Sequence, residues 1–135
     1  MEHPLLEPYL LQLRSQGYDY YNKEDVLIGH EKFINYLEEK GYSGIISEFD
    51  LDMEFWEILN DIKKIIIENG LIMEGSCKSF IDRFEELDNK LLEITIPVNH
   101  PPDLPWWYYR VLKKGSAVYA EDVKKTYGID IEIVV

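Results

Sequence analysis

The stretch FDLDMEFWEILND, residues 49–61, holds five carboxylates, a Trp and a Met, with no Lys or Arg among them. Its reading decides the fold of the first half of the chain. At about 100° per residue, Asp50, Glu54, Glu57 and Asp61 fall within roughly 60° of one another, a single acidic stripe. Leu51, Phe55, Ile58, Leu59, Ile62, Ile65 and Ile66 gather about 100° away as a core-facing stripe. Asp50 or Asp52 is placed to cap the start, and Asn69-Gly70 is a natural stop. The spacing therefore predicts a helix over 51–69. Trp56 and Met53 belong to neither stripe and are expected on the far flank of the acids.

Helices are also predicted on both sides. Residues 4–15 (PLLEPYLLQLRS) cluster apolar side chains and stop at Gly17, and YDYYN follows as an aromatic loop. Asn22 can cap a helix from Lys23 to Lys40, ended by Gly41, with Val26, Phe33, Ile34 and Leu37 facing the core. Ser76 can cap another, in which Cys77, Phe80, Ile81, Phe84, Leu87 and Leu91 stand at helical spacing.

The period then changes. Leu92, Ile94 and Ile96 alternate with Glu93 and Thr95 as a strand stopped by Pro97. NHPPDLP is a stiff loop, because its prolines forbid helix and central strand alike. WWYYRVLKKG, residues 106–115, alternates as a second strand. Ser116 to Tyr127 reads as a short helix stopped by Gly128, and Ile129, Ile131, Ile133 and Val135 as a last strand. The fold expected is α+β, one domain over 1–135: about four N-terminal helices, mainly helical over 1–90, packed on a small strand-rich β-β-α-β unit over 91–135.

Composition narrows function. The formal charge is −12, and residues 1–75 carry 16 acids against 6 bases, so the acidity is concentrated in the first half. Nucleic acid and anionic membrane both need cationic surface, so neither is an expected partner. No apolar run approaches a membrane span. One cysteine excludes an internal disulfide framework, and the N-terminus lacks the pattern of a signal peptide, which together point to the cytoplasm.

Catalytic signatures are missing. His3, His30 and His100 stand apart, and there is no HExxH, CxxC, GxSxG or phosphate-cradling glycine loop. His30 beside Glu31 reads as a partly exposed helix residue, since adjacent residues point in different directions. Cys77 falls on an apolar stripe and reads as a core thiol. Asp50-x-Asp52-x-Glu54 imitates the start of a calcium loop, but Phe55 stands where that loop needs glycine. No catalytic residue, metal or cofactor is expected.

Two features remain. Four consecutive aromatics put Trp107 and Tyr109 on one face of a strand and Trp106 and Tyr108 on the other. The second pair needs a covering helix, a stacking Arg110 or a partner. The acidic helix is the stronger feature. Its acids lack i,i+4 bases, and a large aromatic stands beside them, which is the form of an electrostatically steered interface for a cationic protein.

In size, charge, single cysteine and lack of catalytic motif, the chain resembles the small acidic immunity proteins of bacterial toxin–immunity pairs, such as those of nuclease colicins and contact-dependent inhibition systems. Asp50, Glu54, Glu57 and Asp61 with Trp56 carry the resemblance. It is one of type: immunity proteins span unrelated folds, so it implies no fold and transfers no residue role. It implies a non-enzymatic inhibitor that neutralises a basic toxin, most simply a nuclease domain. The expected partner-binding residues are Asp50, Asp52, Met53, Glu54, Trp56, Glu57, Asp61, Trp106 and Tyr108. One alternative is a protein-binding or regulatory module using Trp106 and Tyr108; another is a small hydrolase centred on His30 or His100.

Overall fold

The computed structural model describes residues 2–98 and 110–134, with Glu54 described in its backbone only. Among these the order is α1 (Glu7–Ser15), α2 (Lys23–Lys40), α3 (Ile46–Asp52), α4 (Glu54–Glu68), α5 (Cys77–Ile94), β1 (Thr95–Pro97), β2 (Arg110–Leu112), β3 (Lys114–Gly115), α6 (Ala117–Tyr127) and β4 (Glu132–Ile133). The fold is α+β, helical through the first two thirds, with short strands near the C-terminus. No helix among the described residues is long and apolar enough to cross a membrane.

The chain forms two compact units, Met1–Lys32 with Glu54–Asp88, and Phe33–Met53 with Asn89–Val135. The boundaries fall inside α2, between α3 and α4, and near the end of α5 at Asp88–Asn89, so each unit draws helix from both halves of the sequence.

The first unit is helical. Asn22 caps α2 as its sequence position foretells: its Oδ1 accepts from Asp25 N at 2.9 Å, and Asp25 Oδ2 accepts in return from Tyr21 N and Asn22 N. This reciprocal arrangement satisfies donors that a helix start otherwise leaves open. Leu6, Leu10, Val26, Leu59, Ile62 and Phe84 are fully or almost fully buried and build the core. Ser76 stands at the N-cap position expected of it, its carbonyl accepting from Phe80 N at 2.9 Å. Its hydroxyl accepts from Lys23 Nζ at 2.7 Å and donates to Glu24 Oε1 at 2.8 Å.

The second unit is built around three aromatic rings. Tyr42, Phe49 and Tyr119 meet edge to face, with centroids 5.3 to 6.2 Å apart. Tyr119 OH accepts from the buried Leu112 N at 3.0 Å, tying α6 to β2. β1 and β2 are antiparallel, Thr95 opposite Leu112, while β3 and β4 are parallel, Lys114 opposite Glu132. Tyr42 adds a parallel bridge to Gly115. Gly41, at φ +66°, allows this approach: a Cβ there would lie 2.2 Å from Lys114 O. Ser116 and Gly128 start and stop α6 as expected, the serine accepting from Tyr119 N and the glycine adopting φ 69°.

One strand is corrected. Leu92 and Ile94 end α5 instead of opening β1, which starts at Thr95. The buried spacing Leu87, Leu91, Thr95 continues the helical period, and Thr95 Oγ1 donates to Leu91 O at 2.6 Å. Over three apolar residues the alternating and helical patterns overlap, and hydrogen bonding decides between them.

Candidate partner-binding face

The predicted helix over 51–69 is two helices. α3 ends at Asp52, Met53 takes φ −79° and ψ 7°, and α4 begins at Glu54. Asp50 and Asp52 therefore belong to the second unit, and Glu57 and Asp61 to the first. The single helix that would carry one acidic stripe is interrupted at Met53. Leu51, expected in the core, is 74% exposed.

Trp56 and Met53 are also corrected. They are 0% and 1% exposed, so neither stands at the surface as an anchor. Trp56 does lie about 100° round α4 from the centre of the Leu59 and Ile62 stripe. That flank is covered, however. The His30 ring of α2 meets the indole edge to face at 4.0 Å, and Phe84 of α5 lies 5.8 Å away. A helix packed from two sides buries more than one stripe.

His30 is the third correction. It is 0% exposed rather than partly exposed, and burial pushes its imidazole down to about 3. Near neutral pH it is uncharged and shut away from solvent. Asp88 faces the same cluster. Burial raises its carboxyl to about 6, while the neighbouring Trp56 indole and the charge of Lys63 pull the other way.

Two expected acids remain exposed together on α4, Glu57 and Asp61. Tyr9 OH of α1 donates to Asp61 Oδ2 at 2.8 Å. Burial raises the Tyr9 phenol well above its ordinary range, and the Asp61 hydrogen bond and the neighbouring Asp61 and Glu57 charges and Tyr18 add to it. Tyr18 in turn stacks on Tyr20, centroids 5.4 Å apart and planes 16° apart. Arg14 holds the loop to α1, its guanidinium 5.0 Å over the Tyr21 ring and donating to Tyr20 O at 2.8 Å. The result is a face where half-buried tyrosines flank two carboxylates. Among the described residues no ion pair joins Glu57 or Asp61 to a base, and nearby Lys64 pairs with Glu68 at 4.0 Å.

Asp50 and Asp52 have tyrosine neighbours of their own within the second unit. Tyr42 OH donates to Asp52 Oδ2 at 2.5 Å, and the Asp50 charge helps hold the Tyr119 and Tyr127 phenols high, behind the larger effect of burial. Both acids sit in α3, in helix geometry and not in a calcium loop. The Glu54 side chain, Trp106, Tyr108 and His100 lie outside the described residues. Arg110 donates to Thr95 Oγ1 at 2.6 Å and Thr95 O at 3.1 Å; the strand rings it was expected to stack on lie outside the described residues.

Cys77 is buried as expected, 2% exposed, and burial raises its thiol. Among the described residues no group of three His, Cys, Asp or Glu side chains is placed to hold a metal ion. Tyr9, Tyr18 and Tyr20 are the site residues that sequence reasoning missed. The run YDYYN was visible as aromatic, but nothing in the chain order ties it to Asp61, 52 positions from Tyr9. No family model, curated protein or solved structure matches the chain.

Proposed function

We propose that the chain is a non-enzymatic immunity protein that binds a basic bacterial toxin, most simply a nuclease domain, through the Glu57–Asp61 face. The observation that carries the reading is the Tyr9–Asp61 hydrogen bond, which fixes an exposed carboxylate beside half-buried aromatic rings. Nucleases carry cationic clefts for phosphate, and carboxylates set in such a cleft occupy the phosphate positions. Exposed acids raise association rates in a salt-dependent way, and tyrosine offers large, stiff, amphipathic contact area. The binding residues of this proposal are Glu57, Asp61, Tyr9 and Tyr18; Trp56 and Met53 are withdrawn as anchors because both are buried.

The experiment uses tagged chain as bait in lysate of its own host at low salt, with stepped salt elution and mass spectrometry. Support requires a stoichiometric basic protein whose nuclease activity the chain inhibits, and whose binding the double change Glu57→Lys and Asp61→Lys abolishes. Retention of that protein by the charge-reversed chain at low salt overturns the assignment of the face.

A further inference from the structure

We propose that residues 2–6 form a detachable strap, locked by Glu2 onto Lys23, whose release opens a cavity onto Cys77. The proposal is independent of the partner-binding reading.

The lock is a buried ion pair. Glu2 and Lys23 side chains are 5% and 4% exposed. Glu2 Oε1 accepts from His3 N at 2.8 Å and Lys23 Nζ at 3.2 Å. Its Oε2 accepts from Lys23 N at 2.9 Å and Lys23 Nζ at 3.3 Å. One carboxylate thus satisfies the first N–H of α2 and neutralises an ammonium that the positive end of that helix disfavours. A buried ion pair is far harder to halve than to lose entirely, because either charge left alone keeps its desolvation penalty. The lock therefore opens as a unit or not at all.

Besides the lock, His3 O accepts from Leu6 N at 2.9 Å and from Glu7 N at 3.1 Å, joining the strap to α1. Leu6 is fully buried at its far end, while Leu5 between the anchors is 49% exposed. At the rim His3 Nε2 touches Glu74 Oε2 at 2.8 Å, with the glutamate side chain 56% exposed. Segments fixed by few contacts open at a lower free energy than the core beside them.

Glu2, His3 and Lys23 line a cavity of about 240 Å³ together with Glu74, Ser76 and Cys77. In the closed form Cys77 is 2% exposed and its thiol is raised by burial. Opening admits solvent to the thiol and removes one of the two carboxylates on the Lys23 ammonium, Glu24 Oε1 staying at 3.2 Å. A cation beside a hydrated thiol is the setting in which a cysteine becomes reactive. The strap is thus a device that switches one inert thiol into a modifiable one.

Cys77 is the chain's one cysteine, so it reports on the strap without engineering. The wild-type chain is reacted with 5,5′-dithiobis(2-nitrobenzoate) across a urea series below the unfolding transition. A labelling rate that is flat at low urea, and steepens only as global unfolding takes over, is the expected result. A rate that follows the full urea dependence of global unfolding throughout overturns the strap. Glu2→Gln should raise the flat rate by about tenfold or more and leave the steep limb's slope unchanged. A flat rate that Glu2→Gln leaves unaltered overturns Glu2 as the lock. Should that variant fail to fold, the wild-type urea series decides alone.

Discussion

His30 and Trp56 meet edge to face with ring centroids 4.0 Å apart, both of them fully buried. The contact joins α2 to α4 inside the first unit and places two polar-edged rings where an aliphatic core would be simpler. It makes Trp56 a determinant of stability. Trp56→Ala should cost about 4 kcal/mol in urea unfolding, the range for emptying a large aromatic site. Trp56→Phe keeps most of the volume and should cost far less. Partner binding by the folded Phe variant should match wild type. A large loss of affinity there, with stability intact, would return Trp56 to the interface.

The same cluster sets a pH dependence with two opposing parts. His30 sits at about 3 when folded against 6.5 when unfolded, so between those values the unfolded chain binds the extra proton and stability falls as pH falls. Asp88 sits at about 6 when folded against 3.8, so between those values the folded chain holds the extra proton and stability falls as pH rises. Between about pH 4 and 6 the two slopes, each up to roughly 1.4 kcal/mol per pH unit, largely cancel. His30→Leu should unmask a stability that declines as pH rises through that window. Asp88→Asn should unmask the reverse. Urea midpoints measured from pH 4 to 7 read both.

The Tyr9–Asp61 hydrogen bond is partly exposed, so its contribution is modest. Tyr9→Phe should destabilise by about 1 kcal/mol, and Asp61→Asn by a similar amount. The double variant should cost less than the sum, since both changes remove one interaction. If the losses add fully, the pair is not coupled in solution.

Gly41 is the position where backbone geometry admits no substitute. Its φ of +66° and the 2.2 Å approach of a built Cβ to Lys114 O combine two penalties. Gly41→Ala should cost about 3 kcal/mol from left-handed strain and overpacking. Gly17→Ala is the control: φ is also positive there, but nothing lies within 4 Å of the added carbon. Its cost should be strain alone, about 1 kcal/mol. Equal losses at the two sites would refute the close approach as the cause.

If Glu57 and Asp61 steer a cationic partner, the single change Asp61→Lys should lower the association rate and flatten its salt dependence, with a smaller change in dissociation rate. Stopped-flow binding at two salt concentrations separates these. An effect confined to dissociation would mean that Asp61 makes a short-range contact and does no steering.

Local chemistry was legible in the residues alone. Asn22, Ser116 and Gly128 mark helix ends because caps act within four residues of sequence, and α2 and α6 lie where those signals put them. The apolar stripe of α4 was legible too, since Leu59 and Ile62 are buried as their spacing requires. Only the tertiary structure decided what covers the flanks. A helical period tells which face is apolar, but not how many neighbours pack against it; so Trp56 was expected outside and lies within, and His30 with it. Tyr9 and Asp61 meet 52 residues apart because α1 and α4 pack in one unit, a proximity that no local period encodes.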